Sequence, residues 1–320
     1  MIIFTIAFGE AYIKSFFELC LPSLVGPDRP LKLQGEKVSL RIVTLARDAE
    51  LVGKYTNSPA VRYFSTLGPI HVDSVSIGTD ANDPTVISTS LLLHAVTKCI
   101  EADEVFVHAV PDIVYSAGLI ATCYELHSLT GRVIALFNGR VGRQPDEPAY
   151  TPETLLNVSK NARDMVGFFF DHMHATWREN LTTDPKQVKG TDRGHVVFQT
   201  DRRRLIFFPT PNPFLGKFIP ADLIPFSGRQ GFTAWDHAWT DALIAKDRLL
   251  VQTDLDAGFG LEAGSWRKDG SQEFKLPKAF HKLSEQQGLS AQDALRDYKF
   301  GNVNCYCFTS AIADGPKSLA

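Results

Sequence analysis

The residues of this chain that could do chemistry are carboxylates and imidazoles set against apolar runs. Asp112 closes the stretch 103–112, in which Val105, Phe106 and Val107 are apolar without a break. Pro111 has no N–H for a ladder, so the predicted strand stops there. A carboxylate delivered at the carboxyl end of a buried strand stands at the edge where open α/β sheets bind ligands. It supplies a hard oxygen ligand for Mg²⁺ or Mn²⁺, and an added imidazole favours Mn²⁺. His174, near the end of a predicted helix, and His237 are the imidazoles chosen to complete such a sphere, with His172 as a further candidate. Asp236, between Trp235 and Trp239, and the pair Asp254 and Asp256 after the apolar run 249–253 are the candidate general bases. Arg140 and Arg143 fall in a predicted strand-exit loop, where a guanidinium can meet phosphate.

Each assignment has a plainer rival. Asp112 could cap a helix starting near Ser116. His172 and His174 are two apart on a helix and point to different faces, so they cannot both line one site. Asp254-Leu-Asp256 precedes Ala-Gly-Phe-Gly, a turn composition that favours Asp without any chemistry. Asp236-His237 fits a solvated helix start, and Arg202-Arg-Arg204 fits the tip of a hairpin.

The elements that must carry these groups alternate between strand and helix. Strands are predicted at 2–8, 38–45, 70–77, 105–110 and 132–137. Between them lie a helix over 11–24 with Tyr12, Phe16, Leu19, Cys20 and Leu24 on one face, a short helix at 49–55 capped by Asp48, and a helix over 84–102. That third helix turns Ile87, Leu91, Leu92, Ala95, Val96 and Cys99 inward. A fourth, over 116–129, is closed by Gly131. The alternation predicts an α/β fold with a parallel sheet. Residues 138–143 read as a loop and 144–150 as a polar linker. A long helix is expected over 151–180, a loop over 181–194, a hairpin at 196–208, irregular structure over 209–232, a helix over 233–245 and a strand at 249–253. A helix at 290–298 and an apolar segment at 303–312 finish the chain. Neither a G-x-G-x-x-G after strand one nor a P-loop is present, so any nucleotide is held in another way.

Composition narrows the function classes. The 320 residues carry a formal net charge of -3, with no basic excess for a nucleic-acid backbone. Five cysteines, scattered and odd in number, suit reduced thiols and a cytoplasmic setting. The apolar N-terminus lacks a basic flank and reads as a strand, not a signal peptide, and no run is long enough to span a membrane.

Several stretches together resemble a group of bacterial and phage proteins similar to nucleotide-diphospho-sugar transferases of the GT-A class. They are Gly9-Glu-Ala-Tyr12 after strand one, Leu19-Cys-Leu-Pro-Ser23, Pro111-Asp112 followed by Ile-Val-Tyr-Ser116, and a late acidic motif, Thr253-Asp-Leu-Asp256 with Glu262. The resemblance covers 1–145 and, more loosely, 165–262. It implies a mixed, mostly parallel sheet flanked by helices, with an irregular C-terminal acceptor side. A nucleotide-sugar-binding half would span 1–145 and an acceptor half 146–320, packed as one unit. Strand one and its loop (Phe8, Gly9, Glu10) would hold the base and ribose of a UDP- or GDP-sugar. Arg47 and Asp48 after strand two could touch the nucleotide, and Arg140 its phosphates. A D-x-D motif would bind Mn²⁺ or Mg²⁺ on the diphosphate; here that slot reads Val110-Pro-Asp112 and keeps only the last Asp, the family's usual direct ligand. The expected activity is glycosyl transfer to an acceptor of unassigned class: glycan, protein or modified base. A metal-independent mechanism and a non-catalytic nucleotide- or partner-binding role on a degenerate scaffold both stay open. The apolar, Pro-rich stretch 214–232 suits a partner or a homo-oligomer.

Overall fold

A computed structural model describes residues 1–26, 37–77, 84–142, 150–174, 181–182, 197–201, 204–207, 212–226, 239–263 and 306–308. The expectations at Asp236, His237, Arg143 and 290–298 lie outside these residues.

The first half of the chain builds the body of the main sheet. Its strands are β1 (Ile2–Ile6), β2 (Ser39–Leu45), β3 (Ile70–Val75), β4 (Phe106–His108) and β6 (Val133–Leu136). Between β4 and β6 stands β5 (Ile113–Tyr115), and after β6 comes β7 (Asn138–Val141). Later strands are β8 (Leu181–Thr182), β9 (Val197–Asp201), β10 (Arg204–Phe207), β11 (Asn212–Gly216), β12 (Leu249–Val251), β13 (Gly260–Ala263) and β14 (Tyr306–Phe308). The seven-stranded sheet runs β12-β6-β11-β4-β1-β2-β3. Its pairings are parallel except at β11, which is antiparallel to both β4 and β6. The chain is therefore α/β with a mostly parallel, mixed sheet. A smaller sheet runs β5-β13-β7, and β14-β10-β9-β8 form a third.

Two differences from the sequence reading shape the sheet. Residues 138–141, expected as a loop, form β7. Residues 212–216, expected as irregular, form β11 in the middle of the sheet. Pro213 is tolerated there because the register against β6 shifts between Pro213 and Leu215, and such a shift is where a strand accepts proline. Gly216 is required by contact: a Cβ on it would lie 2.8 Å from the Val133 Cα.

The first helix is α1 (Glu10–Ser15), a π-helical segment Phe16–Cys20 and α2 (Leu21–Leu24) in succession. The π turn rephases the apolar stripe: Ile13, Phe17 and Leu21 are buried with Phe16, Cys20 and Leu24, while Tyr12 and Leu19 are only half-buried. Next come α3 (Ala49–Gly53) and α4 (Pro59–Phe64), then α5 (Pro84–Ala102), whose six expected inward residues are all buried. After α6 (Leu119–Thr130), the helix expected over 151–180 is two, α7 (Pro152–Val158) and α8 (Ala162–Asp171). Asn161 starts α8, its Oδ1 accepting from the Arg163 and Asp164 amides at 2.9 and 3.3 Å. A short α9 (Trp239–Ala245) precedes β12.

Ile3, Leu40 and Val107 pack with Phe16, Phe64 and Cys123 on one face of the sheet. Phe4, Phe106 and Val43 pack with Leu91, Leu92 and Trp239 on the other. Burial on both faces is why these strands are continuously apolar. A third core joins Val114 and Phe259 of the small sheet to Phe169 and Met165 of α8. Among the described residues no helix is long and apolar enough to cross a membrane.

Candidate functional site

Because β1, β2, β3, β4, β6 and β12 are parallel, the loops that follow them share one edge. Gly9 sits at its centre with φ +71°, a conformation that favours glycine. It caps α1, and its amide donates to the Asp48 Oδ2 at 2.8 Å. Asp48 does stand at the start of α3, as expected, but its side chain makes no capping bond there; it reaches across to the loop of β1 instead. Phe8 is half-buried with its ring 5.9 Å from that of Tyr12, and Glu10 and Arg47 are exposed at the same edge.

Asp112 lies one strand further along, in the turn between β4 and β5. The turn closes with the Ile113 amide donating to the Val110 carbonyl at 3.1 Å. The Val110 amide donates to the buried Tyr115 hydroxyl at 3.0 Å. The Tyr115 amide donates to the Ser23 Oγ at 3.0 Å, and that hydroxyl donates to the Cys20 carbonyl at 2.7 Å. The helix after β1, β5 and the Asp112 turn are thus tied together. Burial pushes the Cys20 thiol well up, and the nearby Asp112 carboxylate adds to it. Burial also raises the Tyr115 phenol, with Cys20 and then Asp112 contributing. The helix-cap rival for Asp112 does not hold: α6 begins at Leu119, with Gly118 as its N-cap.

The small sheet sets a row of polar side chains in register with Ile113, the residue after this turn. Ile113 pairs with Glu262, and Glu262 pairs with Arg140. The His174 amide then donates to the Arg140 carbonyl at 2.9 Å, next to a bridge between Val141 and Met173. Register partners point to one face of a sheet, so Glu262, Arg140 and His174 share the face of Ile113. Arg140 Nε lies 3.2 Å from Glu262 Oε1, both side chains half-buried. A Cβ on Gly142 would come within 2.6 Å of His174 Cδ2, and one on Gly260 within 2.1 Å of Asn138 Oδ1. These glycines let His174 and Asn138 approach. His172 faces elsewhere, against the rings of Phe168 and Tyr150 at 4.3 and 5.2 Å.

The acidic turn after β12, at the same edge of the main sheet, is bonded within itself. The exposed Asp254 accepts the Asp256 amide on Oδ1 at 3.1 Å, and its carbonyl accepts the Ala257 amide at 3.1 Å. That is the local bonding by which Asp shapes a turn. Phe259 then exchanges hydrogen bonds with Ser116, its amide to the Ser116 Oγ at 3.0 Å. Ser116 lies beyond β5 at the end away from Asp112, about 13 Å along the chain at ~3.3 Å per residue. The small sheet pairs Glu262 with Ile113, next to Asp112, while Asp254 and Asp256 follow β12 at the carboxyl edge of the main sheet. The pairing of Glu262 is not local in the sequence. Among the described residues no group of three His, Cys, Asp or Glu side chains gathers as a metal site.

No protein-family model matches the chain, and no curated protein sequence matches it.

Proposed function

We propose that this chain is a glycosyltransferase that takes a nucleotide-sugar donor at the carboxyl edge of its main sheet. The observation that carries the reading is the placement of Asp112 in a braced turn at that edge, with Ile113, the residue after it, paired to Glu262 and Glu262 paired to Arg140. The loop of β1, joined to Asp48 through the Gly9 amide, supplies a neighbouring seat for the nucleoside. Phe8, Gly9, Glu10 and Arg47 line that seat, and Arg140 is the guanidinium for the diphosphate. A mixed, mostly parallel sheet with helices on both faces is also what a GT-A-like enzyme requires.

Mn²⁺ or Mg²⁺ would find a hard oxygen ligand in Asp112; Asp112, Glu262 and His174 do not gather as a group of three, so the donor's diphosphate oxygens would supply further ligands. Such an ion would neutralise charge on the departing nucleoside diphosphate. The chain's own residues do the rest. Arg140, steadied by Glu262, holds phosphate oxygens; Glu262 takes the acceptor's proton if configuration inverts. Asp254 and Asp256, in the turn that follows β12, are the alternative bases. The acceptor is a glycan, a protein or a modified base. Calorimetric titration with UDP- and GDP-sugars in the presence of Mn²⁺ tests the reading; heats indistinguishable from dilution for every donor would overturn it.

A second reading is a non-catalytic nucleotide- or partner-binding protein on the same scaffold. It draws on Asp254, whose Oδ1 is engaged in shaping its own turn. Donor binding without transfer or hydrolysis would favour it.

A further inference from the structure

We propose that a cleft on the helical flank of the sheet binds a short chain of neutral sugars. It encloses about 1040 Å³, the upper end of the ~300–1,000 Å³ usual for small-molecule sites, and so has room for more than one ring. Its lining comes from the first helix, from residues 55–63 and from α7 with Lys160. None of it comes from the carboxyl edge, so occupancy here does not depend on the transfer reaction.

The floor is set by the π turn. Pro22 has no N–H to give the Glu18 carbonyl, and the helix widens so that the Leu21 amide donates to the Phe16 carbonyl. Turns of this kind recur at functional sites. This one presents Phe17 and Glu18 to the cleft. The buried Phe17 ring stacks flat on Tyr55, with centroids 4.8 Å apart and planes 4° from parallel. Tyr55 is half-buried and held in one pose, so little freedom is lost when a ligand lies on it. Tyr63 adds a second half-buried phenol, and Pro22, Pro59 and Pro152 stiffen the walls.

The rim decides what fits. Glu18 and Glu153 are balanced by Arg62 and Lys160, and Ser58 and Asn157 add neutral hydrogen-bonding groups. An anion would call for a net positive rim. An acyl chain would strip water from four charges and give nothing back. A neutral saccharide meets both halves: its C–H faces lie on the tyrosine rings, and its hydroxyls bond to carboxylate, amide and hydroxyl groups.

The test uses the whole chain without donor or metal. Maltotriose, cellotriose and tri-N-acetylchitotriose are titrated by calorimetry and saturation-transfer NMR, with decaproline as the peptide probe. We expect at least one trisaccharide to bind with a Kd of about 1 mM or tighter. Tyr55→Ala should weaken it roughly tenfold, about one aromatic contact, and the exposed Glu153→Gln and Asn157→Ala should weaken it less while leaving circular dichroism unchanged. If Tyr55→Ala fails to fold, those two variants carry the test. Binding of no trisaccharide, equal binding in all variants, or capture of decaproline alone overturns the proposal. Loss of sugar binding with nucleotide-sugar binding intact, or the reverse, separates this cleft from the donor site.

Discussion

The amide of Val110 donates to the Tyr115 hydroxyl at 3.0 Å, so the turn that presents Asp112 is braced by the strand that follows it. Tyr115→Phe removes that acceptor and leaves a partly buried N–H without it. The expected loss is about 1–3 kcal/mol of folding free energy, read from urea denaturation. Affinity for a nucleotide-sugar with Mn²⁺ should drop as well, because the turn loses its brace. A variant as stable as the parent would show that Tyr115 does not hold the turn.

Asp112→Ala tests the carboxylate itself. It should abolish metal-dependent donor binding while circular dichroism and melting temperature stay close to those of the parent, since the side chain is half-exposed. Asp254→Ala, in the turn after β12 where the carboxylate accepts the Asp256 amide, should leave donor binding within about twofold, a few tenths of a kcal/mol. The reverse pattern would move the site to the turn after β12.

The ion pair of Arg248 with Asp222 is structural. Asp222 is buried, and its Oδ2 also accepts the Ile219 amide at 2.9 Å. Arg248 Nη2 donates to the Lys217 carbonyl at 2.7 Å. Arg248→Ala leaves a buried charge without its partner and should cost about 3 kcal/mol. Replacing both residues with apolar ones should cost less than Arg248→Ala alone, a comparison that denaturation curves of the two variants settle.

His108 gives stability a defined pH window. Its ring is buried, stacked on Phe4 at 4.9 Å. Burial lowers its pKa to about 4, with the Pro213 carbonyl opposing. Unfolded, the imidazole titrates near 6.5, so between those values the unfolded chain holds more protons. Stability then rises with pH across the window and is lost as pH falls from about 6.5 towards 4, by about 3 kcal/mol. His108→Phe should flatten that part of the profile, leaving the acid limb from Asp73, whose pKa is also lowered, at lower pH. An unchanged slope between pH 4.5 and 6.5 would show that His108 is not its source.

The parallel part of the fold was legible because strands buried on both faces are apolar runs, and α5 kept a strict helical stripe. Five strands were not: β5, β7, β8, β11 and β13, of which three show why. Ile113-Val-Tyr115 is too short to show a period and runs towards a helix. Asn138-Gly-Arg-Val141 is polar and glycine-bearing because Gly139 and Gly142 admit Phe169 and His174. In residues 212–216, Pro213 reads as a breaker, and only the register shift against β6 accommodates it. The site divides the same way. Asp112, Arg140, His174 and the loop of β1 could be nominated from position and type. The pairing of Glu262 with Ile113, next to Asp112, and the reach of Asp48 to Gly9 join residues far apart in the chain.

The insertion of β11 between β4 and β6 carries a consequence for synthesis and dissection. A fragment ending near residue 145 would present both of those strands with a raw flank in the heart of the sheet, inviting its copies to stick to one another. On the ribosome, β4 and β6 must wait for residue 216 to emerge before the gap between them is filled. The late-made segment acts as a keystone, so the two halves of this chain cannot be traded as separate modules.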